Sequence, residues 1–126
     1  MTTEVYMALI TTIPIHRSKV MAAGTSLDSD PIDLREIAEV GSFSLSYNVG
    51  TSGGIATCGT TNFSYLGCAY YDGTYVAVTA GTFGTVGNAG GSDIVTISPP
   101  LMPFMKIRTS VGSSGTSVVT AQLHVR

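Results

Sequence analysis

The stretch "SFSLSYNV" (Ser42–Val49) alternates without a fault: Phe43, Leu45, Tyr47 and Val49 fall on one parity, Ser42, Ser44, Ser46 and Asn48 on the other. Successive side chains of a β-strand point to opposite faces, so the pattern predicts a strand with one face in a core and the other in water. A helix over the same residues would scatter the apolar groups around its circumference. Clean alternation of this kind belongs to antiparallel sheets, and it sets the expectation for the rest of the chain.

Downstream, "TNFSYLGCAYYDGTYVAV" (Thr61–Val78) predicts two strands around Asp72-Gly73, a strong hairpin signal, with Phe63, Tyr65 and Ala69 on one parity. The glycine-rich "AGTFGTVGNAGGSD" (Ala80–Asp93) reads as a loop reaching out from the body. It lacks the Gly-Lys-Ser/Thr ending and the following helix of a phosphate-binding loop. A strand "DIVTIS" (Asp93–Ser98) then ends at Pro99 and Pro100, which cannot donate to a ladder. "FMKIRTSV" (Phe104–Val111) and "TSVVTAQLHVR" (Thr116–Arg126) flank Gly112–Gly115 and read as a closing hairpin. Met105, Ile107, Val119, Ala121, Leu123 and Val125 are expected inward, and Lys106, Arg108, Gln122 and His124 outward.

Upstream the pattern is less regular. Val5–Ile13 predicts a strand or an extended arm ending at Pro14, followed by a polar link through His16, Arg17 and Lys19. Asp33 and Glu36 have the spacing of a capping box, and Leu34, Ile37 and Ala38 that of a short helix stopped by Gly41. The domain reading is residues 1–25 as an N-terminal strand or arm and 26–126 as one all-β domain. Seven or eight strands at this spacing favour an antiparallel β-sandwich, jelly-roll-like, over a barrel.

Composition narrows the function classes. Of 126 residues only 11% are charged, the net charge is -2, and six scattered Lys and Arg give no footprint for nucleic acid or an anionic membrane. No run approaches the roughly 20 apolar residues of a membrane span, and Glu4 with Thr11, Thr12 and Pro14 spoils a secretion signal. The mean hydropathy of +0.33 is high for a small weakly charged domain, which favours surface covered by neighbours and hence an oligomer or larger assembly.

Catalytic raw material is thin. His16 and His124 are both expected in solvent, and no nucleophile elbow is present. Asp28, Asp30, Asp33, Glu36 and Glu39 cluster but lack the ligand order of a calcium loop. Cys58 and Cys68 are expected as buried thiols, with a cross-strand disulfide as the alternative. Tyr65, Tyr70, Tyr71 and Tyr75 bracket the Asp-Gly turn and read first as strand packing, then as a protein interface, then as a platform for sugar. No catalytic residue, metal or cofactor is assigned.

"PIDLREIAEVGSFSLSYNV", "NFSYLGCAYYDGTYV" and "SDIVTISPPLMPFMKIRTSVGSSGTSVVTAQLHVR", in that order, resemble small β-sandwich structural proteins of tailed-bacteriophage virions, capsid decoration or cement proteins among them. The resemblance covers Pro31 to Arg126 and rests on pattern and order. It implies a non-enzymatic homotrimer on the virion capsid surface, made in the host cytoplasm, with the major capsid protein as partner and no nucleic acid, membrane or small-molecule substrate. A tail or baseplate accessory protein and a carbohydrate-binding sandwich are the alternatives. Interface candidates on this reading are Tyr6, Leu9, Ile10 and Ile13 in the arm, Leu101, Met102 and Phe104 after the prolines, and the cations Lys106 and Arg108, for which a solvated face is the competing account.

Overall fold

The computed structural model of the chain describes residues 10–35, 43–51, 59–77, 84–87, 90–97, 102–112 and 115–125. Among them the structure is all β, with ten strands: β1 (Thr11–Met21), β2 (Ser26–Asp28), β3 (Ile32–Asp33), β4 (Phe43–Thr51), β5 (Thr61–Cys68), β6 (Val76–Ala77), β7 (Gly84–Val86), β8 (Gly91–Ile97), β9 (Phe104–Val111) and β10 (Ser117–Val125). They form two antiparallel sheets packed as a β-sandwich. One sheet has the order β1-β10-β4-β8. The other has the order β2-β9-β5-β6, with β3 also on β9 and β7 also on β5.

β4 follows the alternation of its sequence: Phe43, Leu45, Tyr47 and Val49 are buried. The inner faces meet in one core whose fully enclosed members include Leu45, Val119 and Leu123 from the four-stranded sheet and Phe63 and Ile107 from the other. Tyr47 and Phe63 meet across the interior with ring centroids 4.7 Å apart and planes tilted by 31°, a separation typical of interacting aromatic pairs.

The expected closing hairpin is corrected. β9 and β10 have the predicted inward residues, but β9 lies between β2 and β5 in one sheet and β10 between β1 and β4 in the other. Val111 ends a strand of one sheet and Ser117 begins a strand of the other, so the two inward rows face each other rather than lie side by side. A period of two assigns the face of a strand and is silent on whether the next strand pairs with it or stacks over it.

Of the segment expected as a strand or an arm, residues 5–9 lie outside the described residues, and from Thr11 on it is strand with a different end. The strand does not stop at Pro14: it runs from Thr11 to Met21 and pairs with β10 along its length, Thr11 opposite Val125 and Met21 opposite Ser117. Pro14 is tolerated because β1 is an edge strand. The register shifts at Pro14/His16 and again at His16/Lys19. In the second shift Ser18 takes φ 47°, and its N–H donates to Thr120 Oγ1 at 3.0 Å. These bulges turn what reads as a polar link into sandwich, with His16 buried and Arg17 and Lys19 exposed.

Two further expectations shift. The Asp72-Gly73 reversal exists, but the connection between β5 and β6 spans Ala69–Tyr75 rather than two residues, and Leu66 pairs with Ala77. Gly73 sits so close to the Cys68 sulfur that a Cβ there would collide with it. Part of the glycine-rich loop is sheet: Gly84–Val86 pairs with Thr61–Phe63. Of the expected short helix, Asp33 lies in β3 and Leu34 in the core, while Ile37 and Ala38 lie outside the described residues.

Candidate interface

On β9 the inward parity starts at Met105, so Phe104, Lys106 and Arg108 fall on the outer face of the six-stranded sheet. Phe104 is nonetheless buried. Tyr71 meets it edge-on at 5.8 Å, and the Arg35 guanidinium lies 4.9 Å from its ring centroid. Leu66 and Cys68, on the same outer parity of β5, are buried as well. Lys106 sits 4.4 Å from the centre of the Tyr75 ring, and the Tyr75 hydroxyl donates to the Tyr71 carbonyl at 2.8 Å. A second, smaller apolar layer thus lies outside the sheet, held down by cation–π contacts.

Arg108 is spoken for inside the protomer. Its Nε and Nη2 donate to the two carboxylate oxygens of Asp28 at 2.7 and 3.1 Å, and that pairing raises the guanidinium pKa further above its ordinary range. Arg35 makes the equivalent pair with Asp33, 2.8 Å, and holds that carboxyl down to about 2 through hydrogen bonds from its side chain and its own backbone N–H. Two members of the acidic cluster are therefore occupied by arginines.

The exposed apolar surface of this corner belongs to the loop and to β6. Tyr70 is 72% exposed, Tyr71 59% and Val76 65%. Sequence reasoning named the tyrosines without ranking them first; their density around one turn was the available signal. Arg35 carried none, since its role depends on β3 running beside β9.

The remaining candidates scatter. Tyr6, Leu9 and Leu101 lie outside the described residues. Ile10 is exposed, whereas Ile13 packs against the core. Met102 is half-buried, and its side chain occupies the space a Cβ on Gly67 would need. Phe104 is thus buried within the protomer, and Ile13 is half-buried against its core. The cysteine expectation holds for Cys68, a buried free thiol, while Cys58 lies outside the described residues.

The histidines separate. His16, expected in solvent, is buried with its Nε2 3.0 Å from Thr109 Oγ1 on the opposite sheet; burial, then the nearby Lys19 charge, push its pKa below 6.5. His124 stays on the outer face, its Nδ1 3.0 Å from Thr12 Oγ1 and its Nε2 2.9 Å from Ser46 Oγ. Both rings are engaged in tying strands or sheets together. Over the same outer face runs a shallow trough lined by Ser46, Asn48, Ser92, Ile94, Thr120 and Gln122. No family model matches the chain, and no curated protein matches it.

Proposed function

We propose that this protein is a non-enzymatic structural component of a tailed-bacteriophage virion, a decoration or cement protein that sits on the head shell as a homotrimer and binds the major capsid protein. The observation that carries the reading is the nesting of the strand pairs. β1 pairs with β10, β2 with β9, β4 with β8 and β5 with β6, so the chain is one long hairpin rolled into two sheets, with β3 and β7 as short additions. Such nesting supports the jelly roll, an architecture of viral capsid domains.

Lectin domains and cupins use the same architecture, and a fold does not choose among functions. The surface supports the structural choice. The exposed Tyr70, Tyr71 and Val76, with Arg35 and Lys106 beside them, have the aromatic and arginine character of a protein-binding centre. On this reading that patch docks on the shell, each copy adding a modest contact whose effect multiplies over the lattice.

Copy number per particle, measured by quantitative mass spectrometry of purified virions, tests the assignment. A ratio near that of the major shell protein supports it, and a few copies per particle favours a tail or baseplate accessory. Replacing Tyr70, Tyr71 and Val76 by Ser should abolish co-sedimentation with capsids while leaving the far-UV spectrum unchanged. Binding of the isolated protein to a glycan array, with no affinity for capsids, would move it to the carbohydrate-binding class.

A further inference from the structure

The two edges of the four-stranded sheet are β1 and β8, and among the described residues neither pairs with a further strand. They carry opposite charge. β1 exposes Arg17 and Lys19, and β8 exposes Asp93. The two salt bridges among the described residues use none of these three. Each edge also carries one exposed aliphatic, Val20 at 58% and Ile94 at 72%.

The charges lie on neighbouring rows of the sheet. His16 is opposite Ala121, Ala121 opposite Tyr47, and Tyr47 opposite Asp93; Lys19 is opposite Val119, Val119 opposite Val49, and Val49 opposite Gly91. The rows through His16 and Lys19 therefore bracket Arg17 at one edge and reach Asp93 and Gly91 at the other. Strand directions agree with the same placement. Every pairing in the four-stranded sheet is antiparallel, so with an even number of strands β8 runs opposite to β1. A rotation axis parallel to the strands keeps that relation between copies, setting β8 of one chain beside an antiparallel β1 of the next.

We propose that copies of this chain associate head to tail through these edges, Asp93 of β8 meeting Arg17 and Lys19 of the next copy's β1, with Ile94 and Val20 covered at the seam. Heterologous contacts of this kind close into rings when the rotation allows. A two-fold alternative joining β8 to β8 would bring two Asp93 carboxylates together, and one joining β1 to β1 would gather four cations. Like charges in register oppose both. The contact is made by side chains. The bulged β1 contains Pro14 and offers no unbroken ladder, and the backbone N–H of Ile94 already donates to the Asp93 carboxylate at 2.8 Å. The engaged Ile94 N–H on β8 and the bulges of β1 interrupt backbone pairing at both edges and leave charge to select the neighbour.

The inference rests on the homo-oligomeric part of the function proposed above and is independent of its capsid part. The test is the solution mass of the full chain by light scattering, at low and high salt. Wild type should run at a discrete multiple of its 13.0 kDa, with the multiple lost at high salt. Asp93→Arg alone, and Arg17→Glu with Lys19→Glu, should each run at single-chain mass with unchanged circular dichroism. The triple reversal Asp93→Arg, Arg17→Glu and Lys19→Glu in one chain should recover the wild-type mass. An oligomer that survives either reversal, or a triple variant that stays at single-chain mass, overturns the seam and leaves the homotrimer reading standing. A wild type at single-chain mass overturns both. Co-sedimentation with capsids, scored separately, bears on the capsid assignment alone.

Discussion

His16 and His124 sit on neighbouring strands of one sheet, one on each face, and the difference between them shows how this sandwich spends its polar groups. His124, half-exposed, uses both ring nitrogens to bridge β1 and β4 across β10, through Thr12 and Ser46. His16 reaches through the interior to Thr109 of the other sheet. The Thr61 and Ser117 hydroxyls lie 3.0 Å apart between the sheets, each also within reach of the Gly59 carbonyl at 3.1 and 3.0 Å, and their two hydrogens fill two of these three contacts. Outside, a lost partner is replaced by solvent. Inside, it is not.

The largest expected effect breaks the comparison at adjacent residues of one strand. Leu123 is fully buried, and Leu123→Ala should cost about 2–5 kcal/mol, read as a lower urea midpoint at unchanged slope. Next comes His16→Ala, which strands the Thr109 hydroxyl and should cost about 1–3 kcal/mol. His124→Ala, one position along from Leu123, should cost only about 1 kcal/mol. If the two histidine variants lose the same amount, the distinction between faces collapses.

Acid sharpens the contrast. The folded pKa of His16 lies below 6.5, its burial disfavouring the cation and Lys19 adding to the penalty. Below 6.5 the unfolded chain therefore takes up the proton first, so stability is whole above that pH and declines beneath it until the folded form also protonates. The melting temperature of wild type should fall through this window, and that of His16→Gln should stay flatter. Asp33, held at about 2, acts in another range: its contribution is present above 3.8 and fades only as pH falls toward 2. A His16→Gln profile identical to wild type between pH 7 and pH 5 would remove His16 from the account.

Much of this was written plainly in the residues. β4 and the parities of β9 and β10 follow from strict alternation, because a core on one side of a strand demands it. The partner of each strand was not legible, since pairing and stacking present the same inward row. His16 was hidden for a different reason. Ile13 and Ile15 lean on the core with odd parity, then buried His16 is even and buried Met21 odd again. Two bulges reset the count, and nothing local announces them except Pro14. At the candidate interface the outward parity of Lys106 and Arg108 could be read from the chain. Their partners Tyr75 and Asp28 could not, because each is brought in by a different strand or loop.

The place of β10 between β1 and β4 has a consequence for synthesis. During translation β1 precedes its partner by about a hundred residues, so β4 and β8 can pair first while β1 has no strand to join until that late segment arrives. Contacts so distant along the chain slow folding and lengthen the time during which apolar strands stand unpaired beside other nascent chains. Truncation before Ser117 would therefore remove no mere tail: it would take the middle out of a sheet and leave β1 and β4 with nothing between them.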